Sequence, residues 1–279
     1  MIPTSLRLEV MEHLHAGHQG VNAMFSRASS SLYWPRYKED ITNQRAGCAT
    51  CNRIAPSNPT QPATLEPDIP SYPFQSIMAD FFSVRGQNYL AVADRYSNWL
   101  CVGKLEDDDT KNLIKFLRQV FDYFGVPETF SSDGASIFTS IQMEDFCKRW
   151  GIKLRDSSAY YPTSNKRAEV AVKSAKRLVQ DNLTEDGSLH SDRFLRAILM
   201  HRNTPDPETG KSPAQIIQGR QLRDHLPTPL HKFTIAPQWE EAALGREMAL
   251  MRRHYAKAED LSTKATPLQK LIAGDIVFI

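Results

Sequence analysis

The sequence predicts a multidomain protein. A small helical domain precedes an α/β domain with a mixed five-stranded sheet and helices on both faces, and a truncated C-terminal segment follows. Three observations indicate this order: two histidines and a CxxC pair occur in residues 1–55, six prolines occur in residues 56–73, and residues 74–225 carry three consecutive strand patterns before helix and strand patterns alternate. We therefore assign residues 1–55 to the helical domain, 56–73 to a linker, 74–225 to the α/β core and 226–279 to a tail.

The composition is that of an ordinary globular protein. The 279 residues are 41% hydrophobic and 24% charged with a net charge of +2, and this length allows two domains and a tail. No apolar run approaches the roughly 18 residues that span a bilayer, and no signal-peptide pattern occurs, so we expect no membrane partner. Four cysteines are too few for a disulfide scaffold, so we expect a reducing compartment.

The first domain carries the residues of a structural zinc site. Cys48 and Cys51 form a CxxC turn, and 29 residues separate Cys48 from His18. Together with His15 they offer two imidazoles and two thiolates, a set that binds one Zn²⁺ tetrahedrally. We expect His15 and His18 to share one helix face because they are three positions apart. So small a unit has little core, so metal binding would supply much of its folding free energy.

Two alternatives stay open at this site. His13 is a rival for the first ligand position, although its spacing of five from His18 directs it away on a regular helix. A redox CxxC with incidental histidines is the other interpretation, and no thioredoxin-like βαβ pattern surrounds it.

The linker and the core follow in sequence. Prolines favour extended backbone, so we expect residues 56–73 to be stiff.

Strands are predicted from QSIMADFFSV, QNYLAVADRY and NWLCVGKL, and then a helix (TKNLIKFLRQVFDYFG), a strand (ETFSSD), a short helix (SIQMEDFCKRWG), a strand (GIKLRDSS) and a long helix from Asn165 to about Leu183. This is the RNase H-like order. Cys101 and Cys147 fall in apolar patterns and are predicted core residues.

Three acidic residues stand where a shared metal site would need them. Asp80 has apolar neighbours on both sides, Asp133 follows a short apolar stretch as at a strand end, and Glu169 lies in the long helix. Clustered carboxylates repel one another without a cation, and hard oxygen ligands suit Mg²⁺ or Mn²⁺. Two such ions about 3.5–4 Å apart activate a nucleophile and stabilise the leaving oxygen in phosphodiester chemistry. The alternative is that each acid separately forms a cap, a turn or a solvated helix charge.

Basic residues surround these acids and favour a polyanionic partner. Residues 148–180 contain nine Lys or Arg against two acids, Asp156 and Glu169, which suits nucleic acid, although a solvated helix face gives the same pattern. Glu169, Lys173 and Lys176 follow i, i+4, i+7 and project on one side of the helix. There they would hold a metal and the flanking phosphates together, and plain helix support by Glu–Lys pairing is the alternative.

These motifs together carry a resemblance. The sequence resembles the integrase segment of gypsy-type LTR retrotransposons, relatives of retroviral integrases, over nearly the whole chain. The matching stretches are HAGHQG, YWP, CATC, ADFF, VADRYSNWL, SSDGASIFTS, WGIKLRDSSAYYPTSN, RAE and RNTPDPETGKSPAQIIQGRQLR. The resemblance implies an HHCC zinc domain that assists assembly and DNA contact. It also implies a DDE triad on an RNase H-like fold, which by position is Asp80, Asp133 and Glu169.

The resemblance also implies DNA contacts and two departures. The family usually has a second Gly or an Asn-Gly at SDGA, and a Gly where Lys166 stands, in a loop that flexes near DNA. Two lysines and one asparagine match DNA-contacting positions of the family. Basic neighbours and a tyrosine that would stack on an unpaired end base complete the set, although that tyrosine could equally pack against protein. The residues expected to contact DNA are Asn165, Lys166, Arg167, Lys173, Lys176 and Tyr160.

The tail predicts a helix and one strand. EEAALGREMALMRRHYAKAED gives a helix with an apolar stripe that needs a partner surface, formed by Leu244, Met248, Met251 and Tyr255. PLQKLIAGDIVFI resembles the first strand of the family's small β-barrel domain, which we expect to be incomplete here.

As a whole, the resemblance implies a DNA-strand-transferring integrase. Water first attacks a phosphodiester near the 3′ end of the element's DNA, and the freed 3′-OH then attacks target DNA, with two Mg²⁺ (or Mn²⁺) ions at one site. The implied partners are element ends, target DNA and further copies of the chain in a dimer of dimers or larger, in the nucleus within an integration complex, with the cytoplasm as a second location. The alternatives are a host-adopted or truncated, non-catalytic DNA- or protein-binding module and a different RNase H-like nuclease.

Overall fold

The computed structural model describes residues 1–53, 70–105, 109–132, 135–156, 166–206 and 209–234, with a few separate residues between 237 and 256; for residues 156 and 166–172 it describes the backbone alone. The chain forms two compact units, residues 1–234 and residues 235–279. Most of the predicted linker and the predicted last strand of the tail lie outside the described residues. In the second unit Leu244, Met248, Met251 and Tyr255 are exposed, and their partner surface stays a prediction.

The first unit begins with four short helices, which are α1 (Thr4–His15), α2 (Val21–Ser29), α3 (Tyr37–Gly47) and α4 (Ala49–Arg53). Gly20 precedes α2 in extended backbone, and Arg36 precedes α3 with φ of 65°, so the chain turns sharply between the helices. The buried indole of Trp34 donates a hydrogen bond to Asp40 Oδ2 at 2.7 Å, which fixes the entry to α3. This confirms the predicted small helical domain.

A five-stranded mixed sheet forms the centre of the α/β core. Its strands are β1 (Ser76–Val84), β2 (Gln87–Asp94), β3 (Leu100–Lys104), β4 (Thr129–Ser132) and β5 (Lys153–Asp156), in the order β3-β2-β1-β4-β5. The pairs β1–β2 and β2–β3 are antiparallel, and β1–β4 and β4–β5 are parallel. Arg85 and Gly86 join β1 to β2 with φ of 51° and 74°, the left-handed pair that a two-residue hairpin requires.

Helices cover both faces of this sheet. They are α5 (Thr110–Phe124), α6 (Ile141–Trp150), α7 (Lys166–Asn182), α8 (Asp192–Asn203) and α9 (Pro213–Gln218), and a 3₁₀ turn follows at Leu230–Lys232. Because side chains alternate along a strand, Ile77 and Ala79 pack on the α5–α6 face, whereas Met78 and Phe82 pack on the α7–α8 face. The predicted RNase H-like architecture, with helices on both faces, is confirmed, and Cys101 and Cys147 are buried as predicted.

The N-terminal helices pack directly against the α/β core. Val10, Leu14 and Trp34 belong to one buried cluster that also includes Met200 of α8 and Leu226. A buried ion pair lies beside this cluster, in which Arg27 donates to both carboxylate oxygens of Asp224 at 2.8 and 3.1 Å. None of the helices in the described part of the chain is long and apolar enough to span a bilayer.

Candidate metal centres

Four side chains of the N-terminal helices converge on one point. His15 is the last residue of α1, His18 lies in the turn that follows, Cys48 directly follows α3, and Cys51 lies in α4. Their ligand atoms all lie within 4.8 Å of one another, and no other such group of three or more was found among the described residues. The structure therefore brings together the four residues that the sequence proposed as zinc ligands.

One detail of the prediction is wrong. His15 and His18 do not share a helix face, because α1 ends at His15 and His18 has a φ of 47°. The sequence HAGHQG places Gly17 and Gly20 around this turn, and glycine favours leaving the helix. The turn is closed by the His18 amide, which donates to the His15 carbonyl at 2.8 Å. The two imidazoles therefore meet edge to face, with ring centroids 4.8 Å apart.

The separations of the ligand atoms fit tetrahedral zinc. Zn–S bonds of about 2.3 Å and Zn–N bonds of about 2.0–2.1 Å imply N···S edges of about 3.6 Å. Cys48 Sγ lies 3.5 Å from His18 Nδ1, and Cys51 Sγ lies 3.6 Å from His18 Nδ1 and 3.7 Å from His15 Nε2. The Cys51 amide also lies 3.5 Å from Cys48 Sγ, in the donor position of a tight CxxC turn. These four residues would hold one ion.

The protein environment favours the neutral forms of His15, His18 and Cys51. Burial lowers the pKa of His15 to about 4, with His18 and Arg45 adding to the effect. Burial also lowers the pKa of His18, while the nearby Asp181 opposes the shift. Burial and the neighbouring Cys48 raise the pKa of Cys51 to about 12. Neutral imidazole is the ligating form, and the thiol gives up its proton when a metal binds.

His13 lies outside this cluster. Its Nε2 is 3.6 Å from Glu9 Oε1, and its ring stacks on His225 with centroids 5.0 Å apart. The structure thus places His15, rather than His13, among the four residues whose ligand atoms converge.

The outer nitrogen of His18 has a partner that the sequence did not suggest. His18 Nε2 lies 3.1 Å from Oδ2 of Asp181, in the last turn of α7. No local pattern connects these residues, because one belongs to the N-terminal helices and the other to the core. The contact becomes evident only when the N-terminal helices pack on α7.

The three proposed catalytic acids are described to different extents. Asp80 lies in the middle of β1, on the same face as Met78 and Phe82. β4 ends at Ser132, which pairs with Ala79, the residue before Asp80. Glu169 lies in the first turn of α7, where the backbone alone is described, and Asp133 lies outside the described residues.

Helix α7 lies over the face that carries Asp80. Its buried residues Ala175, Leu178 and Val179 pack with Met78 and Phe82. Helix α7 and β1 are thus direct neighbours. The helix that carries Glu169 and the strand that carries Asp80 meet on one face of the sheet.

Of the six residues proposed to contact DNA, four lie in α7. Lys173 is half-buried and Lys176 is exposed. Lys166 and Arg167 open the helix, with their backbone alone described, and Asn165 and Tyr160 lie outside the described residues. DNA contact by these six residues stays a prediction.

Comparison with known proteins agrees with this architecture. Residues 2–57 match the family described as integrase zinc binding domain, and residues 70–162 match the family described as integrase core domain. The chain therefore joins an integrase zinc-binding domain to an integrase core. The resemblance to the integrases of gypsy-type LTR retrotransposons, relatives of retroviral integrases, is confirmed.

Similar proteins include viral and transposon polyproteins. An uncharacterized protein of Caenorhabditis elegans is 30% identical over 95% of this chain and 21% of its own length. The Pro-Pol polyprotein of simian foamy virus type 3 is 25% identical over 78% of this chain and 19% of its own length. The transposon Tf2-3 polyprotein of Schizosaccharomyces pombe is 23% identical over 72% and 16%. The chain spans about a fifth of the length of the curated relatives it matches.

One solved structure is similar at a more distant level. A chain of a cryo-EM structure of a simian T-cell lymphotropic virus intasome, in complex with a PP2A regulatory subunit, shares 16% identity over 78% of this chain and 77% of its own. The TM-score is 0.48, a level of likeness that supports no functional comparison.

Proposed function

We propose that this chain catalyses the two reactions of a retrotransposon integrase, 3′-end processing of element DNA and its strand transfer into target DNA. The observation that carries the proposal is the position of Asp80 within the integrase core domain. It lies on the face of β1 that α7 covers, beside the end of β4. The residue after the end of β4 is Asp133, and α7 contains Glu169.

The three acids would act as metal ligands. Asp80 and Asp133 would hold one Mg²⁺ (or Mn²⁺), and Asp80 and Glu169 the other, because carboxylate oxygens are the ligands these hard cations prefer. Two such ions, when bound, activate the attacking oxygen and stabilise the leaving oxygen of an in-line displacement. No covalent protein intermediate is involved, so no Ser or Tyr nucleophile is needed.

The basic side chains of α7 would bind the DNA backbone beside this site. Lys173 and Lys176 follow Glu169 on the same helix, so phosphates and metal ligands would be adjacent. Contacts to phosphates carry little sequence information, so we expect weak target preference and a strong dependence of affinity on salt. Binding of element ends and target DNA, assembly of several copies and nuclear localisation are parts of this proposal.

Substitution of Asp80 tests the catalytic role directly. Asp80→Asn removes a metal ligand with almost no change of shape. Ligand loss forfeits several kcal/mol of transition-state stabilisation, so Mg²⁺-dependent strand transfer on oligonucleotides should fall by about 10³-fold or more. Asp133→Asn and Glu169→Gln should behave alike. The matched control is Asp122→Asn, an exposed acid on α5, which should keep full activity.

DNA binding measured on the same proteins separates the competing functions. The catalytic proposal expects the acid variants to bind DNA as the wild type does while they lose strand transfer. Wild-type chain that binds DNA but transfers no strands would instead establish a non-catalytic DNA-binding module, the alternative that Lys166, the first residue of α7, favours. Activity that survives Asp80→Asn would refute the DDE assignment.

A further inference from the structure

The zinc centre is in contact with the helix that carries Glu169. Three neighbouring residues of the last turn of α7 approach the N-terminal helices. Asp181 reaches His18, and Asn182 Nδ2 donates to the Ala16 carbonyl at 3.4 Å. The Gln180 side-chain amide, with its oxygen oriented toward Arg53, accepts from that guanidinium. The metal-ligand turn and α4 therefore both pack on the same end of α7.

The contact with Asp181 determines how His18 can bind a metal. The Asp181 carboxylate lies 3.1 Å from Nε2 of His18. Nε2 therefore carries the proton and donates a hydrogen bond to the carboxylate. The unprotonated Nδ1 then faces the two thiols, at 3.5 Å from Cys48 Sγ and 3.6 Å from Cys51 Sγ. A carboxylate in this position fixes the ring orientation and raises the basicity of the ligating nitrogen.

His15 has no comparable partner. Its outer nitrogen, Nδ1, is buried and has no hydrogen-bond partner in the part of the chain that the structure describes. Of the two imidazoles, His18 alone therefore has a carboxylate at its outer nitrogen, and that carboxylate comes from the core.

The position of Asp181 within α7 argues that the contact matters. An acidic side chain in the last turn of a helix opposes the helix dipole and weakens the isolated helix. Asp181 nevertheless stands in that turn, half-buried against His18. Removal of the Asp181 carboxylate should therefore not weaken α7 itself. Any loss of zinc affinity in such a variant must come from the lost contact with His18.

We propose that Asp181 is a positioning residue of the zinc centre, and that through it zinc binding and docking of the N-terminal helices onto α7 are energetically coupled. Zinc holds His18 in place, His18 holds Asp181, and Asp181 belongs to the helix that carries Glu169. Such coupling is reciprocal, because a contact that strengthens zinc binding is strengthened by zinc to the same extent. The proposal concerns the zinc-binding domain and stands whether or not the chain transfers DNA strands.

Zinc affinity of the full chain gives the first test. Competition with a chromogenic chelator is measured for wild type, Asp181→Ala, Asp181→Asn and Glu185→Gln. Loss of an outer-shell carboxylate typically costs 10–100-fold in metal affinity, so Asp181→Ala should lose that much. Asp181→Asn, which keeps an oxygen acceptor, should lose less. Glu185→Gln removes an exposed acid four residues further along and should bind zinc as the wild type does.

Hydrogen exchange gives a second test that does not depend on catalysis. Amides near the end of α7, in residues 177–183, should exchange faster when zinc is removed from the wild type. In zinc-loaded Asp181→Ala the same amides should exchange about as fast as in the zinc-free wild type, and Glu185→Gln should match the zinc-loaded wild type.

The outcomes divide cleanly. Reduced zinc affinity together with faster exchange in α7 supports the coupling. Wild-type zinc affinity in Asp181→Ala would show that the carboxylate is merely a neighbour of His18. The proposal would equally be overturned if the amide exchange rates in α7 of the wild type were the same with and without zinc. Both readouts are taken on folded protein, and circular dichroism of each variant verifies this.

Discussion

At the scale of single residues, a buried ion pair joins two distant parts of the sequence. Arg27 of α2 is fully buried and Asp224 is 3% exposed, and a 197-residue separation lies between them. Asp224 also accepts from Asn203 Nδ2 at 2.8 Å and from the Leu226 amide at 3.0 Å. Buried charges of this kind are tolerated because each has its partner, and removal of one leaves the other unpaired.

Loss of Arg27 should therefore be costly. Arg27→Met keeps the length of the side chain but leaves the Asp224 carboxylate buried without its cation, so the free energy of unfolding should fall by about 3–5 kcal/mol in urea titration. Arg223→Met, an exposed arginine beside Asp224, should change it by less than about 0.5 kcal/mol. The double variant Arg27→Met with Asp224→Leu should recover part of the loss. A single variant as stable as the wild type would contradict this account.

Which residues could be predicted from the sequence depends on how local the signal is. The four zinc ligands stand in two short motifs, HAGH and CATC, and a chelating turn is recognisable without knowing the fold. Asp181 and Asp224 carried no such signal, because each meets its partner only after α7 or the segment after α9 packs on the N-terminal helices. The prediction that His15 and His18 share one helix face is wrong because two glycines outweigh the i, i+3 spacing of the histidines, and α1 ends at His15.

At the scale of elements, the contact between β3 and α5 depends on a missing side chain. A Cβ on Gly103 would overlap the ring of Phe116, so the strand and the helix approach as closely as glycine permits. The size of the side chain, rather than a positive φ, requires glycine at position 103.

Gly103→Ala should therefore separate β3 from α5. Overpacking of this kind typically costs about 1–3 kcal/mol, which thermal or urea unfolding will measure. Phe116→Leu in the same chain should relieve the clash and recover part of the loss. Gly47→Ala, where no heavy atom lies within 4 Å of the added carbon, serves as the control and should not destabilise. If Gly103→Ala left the free energy of unfolding unchanged, α5 would have to shift without cost.

The elements of the core were the most predictable part of the molecule. The strands and helices predicted from QSIMADFFSV to the long helix that ends near Leu183 all occur, in residues 76–182, within a few positions of their expected ends. Strong signals account for this. Asp109, Ser140, Ser191 and Ser212 cap helices, and Gly151 and Gly219 end them with φ of 68°. The order of the strands across the sheet, β3-β2-β1-β4-β5, was not predicted, because it depends on contacts between strands that are distant in the sequence.

At the scale of the whole molecule, the N-terminal helices and the core share buried surface. The cluster of Val10, Leu14 and Trp34 is completed by Met200 and Leu226 of the core, so the zinc-binding helices draw part of their stability from α8. The sequence suggested a small unit with little core of its own, and packing against the core is what supplies the remainder. Such sharing is invisible to a residue-by-residue analysis because each segment contributes only a few apolar side chains.

Removal of zinc should therefore destabilise more than the first 53 residues. Zinc at about 1,000 times its dissociation constant stabilises the native chain by about 4 kcal/mol, so chelation should lower the unfolding midpoint by about 10 °C. Calorimetry should show one transition for residues 1–234 in the zinc-loaded protein. Cys48→Ser with Cys51→Ser should melt at the lower temperature with or without chelator. Two separate transitions in the zinc-loaded protein would mean that the shared cluster does not couple the two parts.

The border of the sheet formed by β5 has a further consequence. This strand is four residues long, and its sequence KLRD places charge at three of the four positions. Fibrils grow when flat, apolar segments pair with the free backbone amides and carbonyls of an edge strand. A short, charged edge strand such as β5 offers no such template. At high protein concentration, copies of the chain would thus resist joining their sheets through β5.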